Sequence, residues 1–146
     1  MLSIKFLFLV TTLCCVAYYV NAVFTEKQIE SGKRMMLNIC KPRTNVTDDE
    51  LEDMKNGDFD KVSRAAGCFI NCVLASHKWQ NKDNTFNIDA GLASLKNLPE
   101  KYHEEGQRVM KACKDAAKTV NDKCISAMEI GKCFYENSEE LRKILG

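Results

Sequence analysis

Hydrophobic positions along most of the chain recur at three- and four-residue steps, the period of a helix that buries one face. Thr25 with Gln28 forms a capping box, and Ile29, Gly32, Met36, Ile39 and Cys40 follow on one side, predicting a first helix from Glu26 to Cys40 that Pro42 stops. Thr47 with Glu50 opens a second, short helix carrying Leu51 and Met54, with Asn56-Gly57 as its left-handed end. From Asp60, the positions Val62, Ala65, Ala66, Phe69, Cys72 and Val73 hold one face of a core helix that ends near Trp79. A polar loop spans Gln80 to Thr85. Ile88, Leu92 and Leu95 mark a short helix closed by Asn97 and Pro99. The longest periodic face runs from Tyr102 through Val109, Met110, Cys113 and Ala117 to Val120, with a break at Asn121-Asp122. Cys124, Ala127, Met128, Gly131 and Phe134 make a sixth helix. Nothing alternates apolar and polar residues over four positions as a half-buried strand does, so the expected class is all-α, a single domain of about six helices.

The first 22 residues follow a different pattern. Lys5 precedes an apolar run from Phe6 to Val20, and Val20-Asn21-Ala22 offers small residues at the positions a signal peptidase reads. That run is short of the roughly 20 residues a bilayer span needs. Residues 1–22 are therefore expected to be a secretory signal peptide, residues 23–146 the mature domain, and the protein secreted and extracellular.

Composition sharpens this picture. Of 146 residues, 21 are basic and 20 acidic, and only Lys5 among them lies in the leader, so the mature chain is formally neutral. Basic and acidic residues intersperse, which argues against nucleic acid or an anionic membrane as partner. Asn45-Val46-Thr47 is a glycosylation sequon, making Asn45 a candidate carbohydrate acceptor. His77 and His103 stand in no catalytic context, and neither Gly-x-Ser-x-Gly nor His-Glu-x-x-His occurs, so the chain is read as no enzyme, with no cofactor and no metal. His103, beside two Glu, reads as a solvated residue at a helix start.

Six Cys remain after the leader: 40, 68, 72, 113, 124 and 133. In an oxidising compartment they form a disulfide framework. Cys68 and Cys72 share a helix face and must reach different elements. Cys124 and Cys133 stand about 13.5 Å apart along a helix, beyond the roughly 7 Å that a bridge spans. Of the 15 pairings that six Cys allow, ten remain open.

The three-residue gap between Cys68 and Cys72, the eight-residue gap between Cys124 and Cys133, the leader and the helical pattern together resemble the insect odorant-binding proteins of the pheromone and general-odorant-binding type. That resemblance covers the whole chain. It implies interlocked bridges Cys40–Cys72, Cys68–Cys124 and Cys113–Cys133, helices around an apolar cavity, and a carrier of small hydrophobic volatile ligands through sensillar fluid to odorant receptors, as a monomer or weak homodimer. The same scaffold would also serve a secreted scavenger or interaction protein in saliva, venom or reproductive fluid.

A carrier needs a cavity lined by apolar and aromatic groups, usually of about 300–1,000 Å³. The candidate lining residues are Met35, Met36, Leu51 and Met54 in the first two helices, and Phe69, Val73 and Trp79 around the third. Leu92, Leu95, Val109, Met110 and Val120 follow, then Met128, Phe134 and Tyr135 in the last helix. Trp79 and Phe134 are preferred, since they sit near helix ends where a mouth would form. The tail after Cys133, where Ser138 can cap a short helix bearing Leu141, Ile144 and Leu145, is expected to pack over the pocket mouth near Phe134 and Tyr135.

Overall fold

The computed structural model describes residues 23–140 and residue 142. Its elements are α1 (Glu26–Thr44), α2 (Asp48–Asn56), α3 (Arg64–Ser76), α4 (Ile88–Leu95), a short 3-10 turn (Glu100–Tyr102), α5 (His103–Ala112) and α6 (Lys123–Asn137). Among the described residues the only β-type pairing is one isolated bridge between Gln80 and Phe86. The described residues form an all-α fold, with six α-helices.

Five helix starts have a side-chain cap. Thr25 and Thr47 form the two capping boxes, and Ser63, Asn87 and Asp122 present side-chain oxygens to the first-turn N–H groups of α3, α4 and α6. Gly57 ends α2 at φ 83°, where a side chain would also strike the Tyr135 ring.

Three expected boundaries differ. Pro42 does not stop α1, which continues to Thr44 and ends at Asn45 in a left-handed conformation. A proline deletes one N–H near a helix end without preventing helical φ, and the Thr44 hydroxyl adds a bond to the Cys40 carbonyl at 2.9 Å. The third helix starts at Arg64, not Asp60, because Ser63 caps it, and it stops at Ser76, so Trp79 lies beyond it. The long helix expected from Tyr102 to Val120 ends at Ala112. Beyond it the backbone N–H groups of Lys118 and Thr119 donate to the Glu129 carboxylate, at 2.5 and 2.9 Å, instead of to a helical turn. That long-range acceptor outweighs local periodicity, and it leaves Val120 on the surface, 43% exposed.

The seam of the molecule is the pair α3 and α6, which pack against each other more extensively than any other helices, with their starts together. Gly67 makes this possible: a Cβ there would lie 2.3 Å from the Cys124 carbonyl oxygen. The adjacent Cys68–Cys124 bridge joins the two helices with Cα atoms 4.3 Å apart. Cys40–Cys72 ties α1 to α3, and Cys113–Cys133 ties the end of α5 to α6. These are the interlocked bridges that the resemblance implied. Arg64 on α3 adds a forked ion pair to Asp122 at the start of α6, at 2.8 and 3.1 Å.

Two apolar clusters flank this seam. One gathers Leu74, Phe86, Val109, Met110, Ile130 and Phe134 between α3, α4, α5 and α6. The other gathers Val46, Met54, Phe59 and Ala66 under α2, with Phe69, Met128 and Tyr135 packed on it. Ile130 is fully buried in the first, a burial that contributes about 2–3 kcal/mol.

Candidate functional site

The first cluster is not filled. Between α1, α4, α5 and α6 it leaves an apolar hollow of about 170 Å³. Its walls are Trp79, Leu95, Val109, Met110 and Phe134, joined by Ile29 of α1 and Leu98 beyond α4. The hollow is smaller than the range expected of a carrier because Leu95, Met110 and Phe134 project into it. Met110 reaches across to Gly91, where a Cβ would meet its sulfur at 2.7 Å.

Trp79 owes its position to the chain leaving α3 early. Lys78 takes a left-handed φ of 59°, which turns the backbone so that the Trp79 N–H donates to the Leu74 carbonyl at 2.8 Å and its carbonyl accepts from Asn87 at 2.7 Å. The indole Nε1–H donates to Ser94 Oγ at 2.9 Å. So fixed, the ring meets Phe134 edge-on at 6.2 Å between centroids, and Phe134 meets Phe86 edge-on at 5.2 Å, both favoured aromatic geometries. Behind them Gln80 secures the loop: its amide accepts from Asn71 and donates to the Lys123 carbonyl and Ser126 Oγ, so the buried Ser126 is satisfied.

One end of the hollow is bounded by residues that carry polar groups, although the surface they turn to it is almost wholly apolar. Tyr102, Glu105, Ser138 and Glu140 line it. The Tyr102 hydroxyl donates to Glu26 on α1 at 3.0 Å, and Lys101 pairs with the same carboxylate at 2.6 Å. Glu105 Oε1 accepts from the Glu140 N–H at 3.2 Å. Burial pushes the Glu105 carboxyl up, but the Glu140 N–H, the Ser138 hydroxyl, the Glu139 N–H and the Arg108 charge outweigh it and hold the group below the usual carboxylate range. Glu105 is thus an ionised acceptor at neutral pH.

Five of the candidate lining residues meet at the hollow: Trp79, Leu95, Val109, Met110 and Phe134. Leu92 packs on the outside of the same cluster. Leu51, Met54, Phe69, Met128 and Tyr135 belong to the second cluster, with no lining role at the hollow. Met35 is 53% exposed on α1, Met36 and Val73 are half-buried away from the hollow, and Val120 is on the surface. Ile29, Leu98, Glu105 and Ser138 were not among the candidates. Ile29 was legible on the apolar face of the first helix, whereas Leu98 lies in a turn without periodicity and Glu105 looks like an ordinary first-turn acid.

The predicted lid residues Leu141 to Leu145 lie outside the described residues as a segment. At its base Ser138 is buried and the Arg142 N–H donates to the Ser138 carbonyl at 3.3 Å. His103 is half-buried rather than solvated, its Nε2 2.8 Å from the Leu98 carbonyl oxygen. His77 stacks obliquely on Trp79, and burial lowers its pKa. Among the described residues no group of three or more His, Cys, Asp or Glu is placed to hold a metal, and no helix is long and apolar enough to cross a membrane. Asn45 of the sequon is exposed at the end of α1.

A small helical shell, laced by three bridges around an apolar hollow, is the architecture of a binding protein for small apolar molecules. Residues 21–137 match the PBP/GOBP family model, and the chain belongs to that family, whose members are small-ligand binding proteins and not enzymes. General odorant-binding protein 72 of Anopheles gambiae is 26% identical over 115 residues, covering 78% of this chain and 93% of that protein. The crystal structure of Odorant Binding Protein 4 of Chrysopa pallens superposes with a TM-score of 0.74 at 31% identity, covering 82% of this chain and 97% of that one. Odorant Binding Protein 7 of Anopheles gambiae, with four disulfide bridges and in complex with an azo compound, shares the fold at a TM-score of 0.70 and 19% identity, covering 84% and 94%.

Proposed function

We propose that this protein is a secreted carrier that takes small hydrophobic ligands, odorants or pheromones, into the hollow and moves them through aqueous fluid to receptors. The observation that carries this reading is the hollow itself: an almost wholly apolar space ringed by Trp79, Met110 and Phe134 inside a shell that three bridges hold together. Three cross-links that each close a long loop contribute roughly 2–4 kcal/mol apiece, which lets a small domain tolerate an unfilled core. The ligand contacts in this reading are Trp79, Leu95, Val109, Met110 and Phe134 with Ile29 and Leu98. Met110, with a flexible and polarisable thioether, lets the wall re-form around ligands of different shape. The complex of the mosquito relative with an azo compound supports the same use of the scaffold.

Trp79 is the sole tryptophan of the chain, so its emission reports on the hollow directly. Titration with volatile alcohols, aldehydes and esters is expected to give a saturable change at micromolar concentration, weakened in Phe134→Ala. Correctly oxidised protein that binds none of them overturns the carrier reading and favours a secreted interaction protein. Carriage to receptors, as against scavenging in saliva, venom or reproductive fluid, is separated by the tissue that expresses the transcript. The reading further places leader cleavage after Ala22, so the mature protein is expected to begin at Val23 by intact-mass measurement, as a monomer or weak homodimer by sedimentation, with carbohydrate on Asn45 as an added mass.

A further inference from the structure

Every polar side chain that bounds the hollow is engaged within the protein. The Trp79 indole N–H donates to Ser94 Oγ at 2.9 Å, and the Ser94 hydroxyl donates onward to the Ala90 carbonyl at 2.8 Å. The Tyr102 hydroxyl donates to Glu26 at 3.0 Å. Glu105 is taken by the Ser138 hydroxyl, the Glu139 and Glu140 N–H groups and the Arg108 charge, and Glu140 has an interaction of its own. Even the Leu98 carbonyl oxygen has His103 Nε2 at 2.8 Å. Among the described residues no buried side-chain nitrogen or oxygen lacks a hydrogen-bond partner, and the surface turned to the hollow is almost wholly apolar. The hollow thus offers a ligand apolar contact and no polar side chain in want of a partner.

We propose that the hollow selects compact hydrocarbons, of the size of a benzene ring with a short side chain, over alcohols of the same skeleton. This inference rests on the carrier reading above and narrows its ligand class. An apolar cavity of about 150 Å³ lined by Leu, Ile and Phe stays dry and takes benzene. A hollow of about 170 Å³ walled by Leu95, Met110, Phe134 and Trp79 therefore suits an alkylbenzene. Such a ligand draws its affinity from the apolar area it buries and from close contact with the rings and the thioether, and it leaves no polar group unmet. An alcohol gives up its hydrogen bonds to water and recovers none, which costs far more in surroundings that cannot hydrogen-bond than in those that can. Alcohols still enter by their apolar bodies, less tightly than the parent hydrocarbon.

The test compares ethylbenzene with 2-phenylethanol, which adds a hydroxyl to the same skeleton, read by Trp79 emission and by calorimetry in sealed cells on the oxidised mature protein. The ratio of their affinities is expected to exceed the ratio of their octanol–water partition coefficients by about tenfold, since octanol hydrogen-bonds the hydroxyl and the hollow does not. A ratio at or below the octanol value overturns the selectivity while leaving the carrier reading intact, and it does so without any variant. Met110→Gln sets an amide, with donors and an acceptor, in the wall, and the ratio is then expected to fall to within about threefold of the octanol value. An undiminished ratio in that variant, with native circular dichroism, overturns the missing partner as the cause. If neither ligand binds, the carrier reading falls and this inference falls with it.

Discussion

The two apolar clusters on either side of the α3–α6 seam are built from the same kinds of residues and end in different states. In the cluster under α2, Phe59 meets Tyr135 edge-on at 5.7 Å, and Met54, Val46 and Ala66 pack with them. The cluster between α4, α5 and α6 keeps a hollow although it holds more aromatic residues. Composition does not make the difference, since each side has methionine, aromatic and aliphatic side chains. What differs is the scaffold. α2 follows α1 after a short turn and is pinned to the start of α3 by Glu50, which caps its own helix and accepts from the Ser63 N–H at 2.8 Å. On the other side α4 and α5 meet the seam across the Trp79–Phe134–Phe86 contacts, and the Cys113–Cys133 bridge ties the end of α5 to α6. The hollow lies where aromatic edges and a covalent tie form the walls.

The largest expected effect falls on the seam that both clusters share. Replacing Cys68 and Cys124 together by Ala opens a loop of 56 residues and is expected to cost about 4 kcal/mol of unfolding free energy, with ligand binding lost as both sides loosen. Retained binding with a native melting curve would show that helix packing alone fixes the hollow. The comparison is sharpened next by two methionine truncations. Met54→Ala in the cluster under α2 is expected to cost about 2–4 kcal/mol and leave ligand affinity unchanged. Met110→Ala enlarges an existing hollow, so it should cost less in denaturant melts and shift ligand preference toward larger molecules. Equal stability losses with equal binding would erase the distinction between the clusters.

A smaller effect is expected from Gly106→Ala. A Cβ there would lie 2.5 Å from Leu95 Cδ2, so Leu95 must shift within the hollow wall. The outcome is weaker ligand binding by several-fold with about 1–3 kcal/mol lost in stability, read by Trp79 emission and thermal melting. The smallest effect concerns acid. The Ser63 hydroxyl, with the Thr47 and Ser63 N–H groups, holds Glu50 at about 2. The Arg64 guanidinium and the first-turn N–H groups of α6 hold Asp122 at about 2. Both carboxylates are depressed in the folded state, so their contribution is complete above the unfolded value near about 4 and is lost as pH falls toward about 2. Denaturant midpoints are expected to decline over that window, and less steeply in Asp122→Asn, since Asn keeps the cap but not the titration. A variant with the wild-type slope would remove Asp122 from the account.

Much of the fold was legible because its causes are local. The capping boxes at Thr25 and Thr47 and the break at Gly57 act within a few residues, and they fixed helix starts and one stop as expected. The misplaced boundaries have distant causes: Glu129 draws the backbone of Lys118 and Thr119 out of the helical path, and Lys78 turns Trp79 off the end of α3. The site was legible by half for the same reason. Periodicity marks which residues face inward, and Met54, Phe69 and Met128 do so as surely as Val109 and Met110.

The sequence by itself determined the helices and the inward faces, because these depend on near-neighbour hydrogen bonding and on spacing along the chain; spacing left ten bridge pairings open, and only the resemblance to a family implied the right one. Only the tertiary structure decided which of two inward-facing clusters carries the hollow and that Ile29, Leu98 and Glu105 complete its wall. Which cluster carries a hollow depends on how side chains from separate helices meet. That is a property of contacts between residues tens of positions distant, and no local period encodes it.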